Sequence, residues 1–127
     1  MATIERIQPE GVALPYAHYS TVSRVGSRLY VAGLVPIDDE GNLVAKGSPR
    51  EQAAHVSRTL EAICAQFGAD LGNVASCVLY ITDREHYREV DAGFAHVFGE
   101  HRPSRATVIV GLTDPEFLVE LVSIVEL

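Results

Sequence analysis

Two charged residues stand where the surrounding pattern has no place for them. Glu120 sits in FLVELVSIVEL, a run whose neighbours are apolar on both alternating faces. Burying an ionised carboxylate costs several kcal/mol unless a cation or hydrogen-bond donors compensate it. Glu120 therefore reads either as a chemical group or as an edge position that reaches water. Arg105 opens RATVIV, a mostly β-branched run, directly after the loop EHRPS. Arg grips a carboxylate through two parallel hydrogen bonds, and the alternative is a solvated strand start. Arg102 is more simply a solvated loop charge. If the last two strands are neighbours, Arg105 and Glu120 form an internal ion pair or share a site.

Tyr16, in LPYAHYS, puts a phenol on a Pro-braced loop, where it serves as a donor at a pocket rim or as a rim or core aromatic. His18 has the residue type of a base at neutral pH, although a lone His after a loop more often packs or faces solvent. Asp91, between Val90 and Ala92 in a helical stretch, is expected to be solvated or paired with Arg88 three residues earlier. The five histidines form no HExxH, and no Cys/His pair has zinc-ligand spacing, so no metal is expected. Neither GxGxxG, GxxxxGK[ST] nor GxSxG occurs, which leaves dinucleotide, P-loop and hydrolase-elbow readings without support.

The elements that must position these groups are legible from punctuation and period. A short strand is expected near Thr3–Ile7, followed by QPEGVALPYA, a loop broken by Pro9, Gly11 and Pro15. YSTVSRV and SRLYVAGLVPI read as strands joined by a tight turn at Gly26 and Ser27, and DDEGN as a second turn. Ser48-Pro49-Arg50-Glu51 carries an N-cap, Pro at the first helical position and Glu three residues after the cap. Val56, Leu60, Ile63, Cys64 and Phe67 then mark one helical face, and Gly68 ends it. VASCVLYIT, apolar at nearly every position, reads as a buried central strand. A second helix from Thr82 or Asp83 to Gly99 turns Tyr87, Val90, Phe94, Val97 and Phe98 inward. RATVIVGL and FLVELVSIVEL complete the order ββ-α-β-α-ββ. This is an α+β plan, a mixed β-sheet with two helices packed on one face, in one domain over residues 1–127. Two helices cannot easily cover both faces of so apolar a sheet, so the open face is expected to meet a second copy.

The chain has 127 residues with a net charge of −7. That balance argues against nucleic acid or an anionic membrane, both bound chiefly by clustered Lys and Arg. The N-terminus lacks the charged and apolar regions of a secretory signal, and no apolar stretch reaches membrane-spanning length. Cys64 and Cys77 lie in apolar surroundings and read as small core hydrophobes. The expectation is a reduced, cytoplasmic, soluble protein.

Several stretches together resemble the RidA family, the YjgF-like proteins some of which are called L-PSP endoribonucleases. They are PYAHYS, VGSRLYVAGLVPID, EQAAHVSRTLEAI, FGADLGNVASCVLYITD, YREVDAGFAHVFGEHRPSRATV and FLVELVSIV, in order over nearly the whole chain. The resemblance implies a chorismate-mutase-like protomer in a homotrimer with clefts between subunits. There, deaminating members hydrolyse 2-imino or 2-enamino acids to 2-keto acids and ammonia, without metal or organic cofactor. By the same resemblance Arg105 holds the substrate carboxylate, Glu120 orients or activates the attacking water, and Tyr16, Thr107, Ala32 and Gly33 line the pocket. The chain departs from the usual family pattern at Leu14, Ala32, Leu34, Asp91, Ala106 and Thr107. Lost small polar groups make the pocket more apolar and point to a different amino- or imino-acid substrate. The competing readings are a non-catalytic binder of small carboxylates and an endoribonuclease, the latter disfavoured by the acidic charge.

Overall fold

In a computed structural model, which describes residues 2–127, the chain forms a six-stranded mixed sheet with two helices on one face. The strands are β1 (Ile4–Ile7), β2 (Val22–Val25), β3 (Arg28–Leu34), β4 (Val74–Ile81), β5 (Ser104–Ile109) and β6 (Val119–Glu126). The helices are α1 (Pro49–Gln66) and α2 (Tyr87–Phe98). The expected α+β plan holds. Strand order across the sheet is β1-β2-β3-β6-β4-β5, with only β4 and β5 parallel among the paired neighbours. A parallel pair needs a long crossover, and α2 supplies it.

The α1 start follows its sequence signal closely. Ser48 Oγ accepts the Glu51 amide at 3.2 Å, Pro49 takes the first turn, and Gly68 adopts φ +70° just past the end. Val56, Leu60, Ile63 and Cys64 are buried, with Phe67 packed at the margin. They meet Leu29, Val31, Leu79, Ile81, Leu121 and Val125 of the sheet, which make the core with Val90, Phe94 and Phe98 of α2. Both cysteines are buried and unpaired, and burial pushes each thiol up to about 11.

Three expectations need correction. The α2 helix begins at Tyr87, not near Asp83: the Asp83 carboxylate caps a short 3-10 turn, Arg84–His86, that precedes it. Tyr87 consequently leans outward and is half-exposed. The strand foreseen in YSTVSRV is only Val22–Val25, because the irregular loop persists through Thr21. Finally β4, although central, is covered on one face only: Cys77, Leu79 and Ile81 are buried while Val78 and Tyr80 lie on the open side.

Two polar and close-packed positions hold this frame. Gln52, fully buried on α1, donates to the Glu116 carbonyl at 3.1 Å and accepts the Leu118 amide at 2.8 Å. That fixes the entry into β6, and with it the register of Glu120. Where α1 crosses α2, Gly93 lies so near the Arg50 carbonyl that a Cβ would stand 3.0 Å from its carbon. Gly93→Ala is expected to cost about 1–3 kcal/mol through overpacking, read as a lower urea midpoint with an unchanged slope.

Candidate functional site

The two charged residues singled out lie on opposite faces of the sheet. Arg105 pairs with Cys77, and Glu120 pairs with Tyr80. Residues directly opposite each other point to the same face. Arg105 therefore lies on the helix side at the edge, and Glu120 on the open side. The final two strands are not neighbours, because β4 runs between them. Two strand spacings and three residues along β4 put the two Cα atoms roughly 14 Å apart. One protomer forms no Arg105–Glu120 ion pair.

Arg105 is built into a recess beneath α2. Its Nη1 donates to Asp91 Oδ1 at 2.9 Å, its Nη2 to the Tyr87 hydroxyl at 3.2 Å, and its Cζ stands 4.9 Å from the Phe94 ring centroid. Phe94 is in turn stacked on Phe98 at 3.9 Å. The side chain is only 18% exposed. A guanidinium carries five N–H groups in a rigid fork, and these contacts engage two. Arg105 itself lines a groove of about 360 Å³, together with Asp91, Phe94, Phe98, His101 and Arg102. Asp91 thus pairs with Arg105, not with Arg88: the less exposed cation across the groove replaces the exposed neighbour one helical turn away. Thr107, opposite Leu79, shares Arg105's side of β5.

The loop before β2 carries Tyr16 and Tyr19 edge to face, 6.0 Å between centroids. They border a cavity of about 100 Å³ that Ala32 and Gly33 of β3 and His55 and Thr59 of α1 also line, so it lies where the loop, the sheet and α1 meet and not on the open face. Register between β3 and β6 breaks between Val31 and Leu34, and this bulge lets Gly33 lie against Glu120. A Cβ on Gly33 would stand 2.7 Å from Glu120 Cδ, so only glycine admits the carboxylate there. Glu120 takes part in no side-chain hydrogen bond or ion pair among the described residues, and burial raises its pKa above the ordinary carboxylate value. The Tyr19 phenol is raised as well, first by burial and then by Tyr16, with the Glu120 charge adding to it.

So Tyr16, Ala32 and Gly33 share one cavity, Glu120 adjoins it through Gly33, and Arg105 and Thr107 stand apart from them. His18 is exposed and outside both recesses. Tyr19, His55 and Tyr87 were not singled out from the sequence. His55 and Thr59, four apart on α1, had a usable signal, since that spacing places both on one helical flank. His55 bonds the Ile37 carbonyl at 2.7 Å. Among the described residues no group of three or more His, Cys, Asp or Glu is placed to hold a metal, and no helix is long and apolar enough to cross a membrane.

Comparison with known proteins bears on this arrangement. The family model for endoribonuclease L-PSP matches residues 10–127. The chain belongs to the endoribonuclease L-PSP family. It is 32% identical over 120 residues to 3-aminoacrylate deaminase RutC of Acinetobacter baylyi, covering 94% of this chain and 95% of that protein. A RutC family protein of Pyrococcus abyssi is also 32% identical over 120 residues, covering 94% of each. The crystal structure of RidA from an Antarctic Psychrobacter superposes with a TM-score of 0.87 at 27% identity, over 97% of this chain and 99% of that one. This family is the one the sequence resemblance named, and its solved members share the mixed sheet and paired helices seen here.

Proposed function

We propose that this protein hydrolyses reactive 2-imino acids, and their 2-enamino tautomers, to 2-keto acids and ammonia, in clefts between copies of a homotrimer. The observation that carries the reading is Glu120, a half-buried carboxylate beside Gly33 that has no side-chain partner among the described residues and a raised pKa. Burial makes the ionised form of such a group a stronger base than an ordinary carboxylate. Arg105 is the complementary half, a cation held in a recess with free donors. Because the two lie on opposite faces, the β5 edge of one copy must meet the open face of its neighbour to bring them to one substrate. The open face carries half-exposed apolar side chains, Tyr30 and Val108 among them, that such docking would cover. The deaminase relative at 32% identity supports the same chemistry.

In this reading Arg105 holds the substrate carboxylate, and Thr107 and Tyr16 line the cleft. Water oxygen adds to C2 of the imine as Glu120 takes one of its protons. That proton is delivered to nitrogen as the C=N electron pair moves there, giving a carbinolamine. The proton of the new C2 hydroxyl then passes to nitrogen by way of Glu120. The O–H electron pair forms the keto group as the C–N bond breaks, and ammonia leaves. An imine carbon is already electrophilic, so proximity and orientation supply most of the acceleration.

The test generates imines in situ from several amino acids with an amino-acid oxidase and follows keto-acid release with and without the protein. Acceleration is the expected result. If no substrate is accelerated and Arg105→Ala alters only ligand binding, the protein is a carboxylate binder. RNA cleavage that survives Arg105→Ala would make it a nuclease, which the −7 charge disfavours. A light-scattering mass equal to one 13.8 kDa chain would remove the composite cleft. Gly33→Ala is expected to displace the Glu120 carboxylate and lower kcat by up to about 100-fold, with KM little changed in the same oxidase-coupled assay.

A further inference from the structure

Asp91 is unexplained by a site whose task is only to bind an anion. An aspartate bonded at 2.9 Å to the anchoring guanidinium cancels much of the charge that would attract a carboxylate. The second cation on the groove, Arg102, is exposed and therefore largely screened. Asp91 is itself half-exposed, and only its Oδ1 is engaged by Arg105. Asp91 lines the groove, and its second oxygen accepts no hydrogen bond among the described residues.

Resting on the assignment of Arg105 as carboxylate anchor, we infer that Arg105 and Asp91 form a receptor for zwitterions, in which Asp91 selects ligands bearing a protonated nitrogen next to the carboxylate. The geometry of the ligand class fits. In an α-amino or α-iminium acid the nitrogen lies about 2.5 Å from the carboxylate carbon. A carboxylate forked on Arg105 thus holds its nitrogen within reach of an acceptor on the adjacent wall. An iminium N–H donates to Asp91. A keto acid presents a carbonyl oxygen there instead, so two acceptors face each other and the complex is disfavoured. The same contrast makes Asp91 a discriminator between protonated substrate and product: hydrolysis replaces the donor by an acceptor and weakens the product's hold.

The experiment compares two stable probes of equal chain length by titration calorimetry on the intact protein at pH 7. L-2-aminobutyrate is the zwitterion and 2-oxobutanoate the plain anion. Wild type is expected to favour aminobutyrate on the order of tenfold. Asp91→Asn is expected to invert that preference, tightening oxobutanoate and weakening aminobutyrate, with Asp91→Ala following the same direction. A role for Asp91 in merely orienting Arg105 predicts parallel weakening of both probes, and that result overturns the inference. So does a wild type that binds both probes equally, a reading that needs no variant. The anchor is judged separately: Arg105→Ala that binds both probes as wild type does, or a wild type that binds neither, removes the carboxylate site itself and this inference with it.

Discussion

Replacing Glu120 by Gln should lower kcat for imine hydrolysis by about 10²–10⁴-fold while raising the protein's stability at neutral pH. The first half follows from the loss of a proton acceptor positioned on the attacking water. Gln keeps the shape of the carboxylate beside Gly33, so KM should move little. The pH dependence has a definite sign. Burial raises the Glu120 pKa, so the base form is lost as pH falls through a value above the ordinary carboxylate range. The acid limb of the wild-type kcat profile should lie there, and the residual activity of Glu120→Gln should lack it. Stability runs the opposite way. A carboxyl group whose folded pKa exceeds its unfolded one favours folding while protonated, and that contribution is lost as pH rises through the folded pKa. At neutral pH the wild type therefore carries an ionised, half-buried group that the amide variant does not. The melting-temperature gain of Glu120→Gln should be present at pH 7 and shrink to nothing at pH values below the ordinary carboxylate range. A Glu120 that turned to water would give neither the activity loss nor the pH-dependent gain, so parallel melts and rate profiles decide the matter.

The residues that let Glu120 be seen at all were local. An acidic side chain in an otherwise apolar run is a conflict visible without any neighbour, as is Arg105 at the head of RATVIV. The same holds for α1, whose Ser48, Pro49 and Glu51 act within one turn. What could not be read was anything set by strand order. Alternation gives each strand its two faces but not its partners, and inserting β6 between β3 and β4 moved Arg105 and Glu120 to separate sites within one chain. Asp91 illustrates the same limit on a helix. Its spacing from Arg88 is a real neighbour relation, yet the partner it takes is Arg105, fourteen residues away in sequence and on another element. The apolar run of β4 has a different lesson. Its sequence describes a strand covered on both sides, while one chain covers only the Cys77, Leu79 and Ile81 side. Tyr80, Val78 and Glu120 then occupy the face that a neighbouring copy would complete. Gly33 was identified through resemblance, and its physical reason emerges only from the bulge that presses it on Glu120.

Arg105→Ala should reduce kcat/KM for imine hydrolysis by roughly 100-fold, and Arg105→Lys by roughly tenfold, with both proteins remaining folded. A charge-assisted bond to a carboxylate contributes about 1.5–3 kcal/mol, and a bidentate one involves two such bonds. Lys retains the charge but presents it as a point, without the planar fork or the stacking over Phe94. Its ammonium must choose among Asp91, Tyr87 and the substrate, where the guanidinium serves all three. That the variants should fold rests on Asp91: it is half-exposed, so losing its partner returns it to water instead of stranding a charge. Exposed pairs contribute about 0–1 kcal/mol, and the Arg105 side of this pair, though more covered, borders an open groove. Unfolding is therefore not the route by which activity falls. The decisive comparison is between substrate series. If Arg105 acts on the carboxylate, the penalty should shrink to about tenfold or less for an imine substrate whose carboxylate is replaced by a neutral amide, which still accepts a hydrogen bond from the guanidinium but carries no charge for it to pair with. A penalty undiminished with the amide would mean that Arg105 acts through the packing of Phe94 and α2, and the carboxylate anchor would have to be sought elsewhere in the cleft.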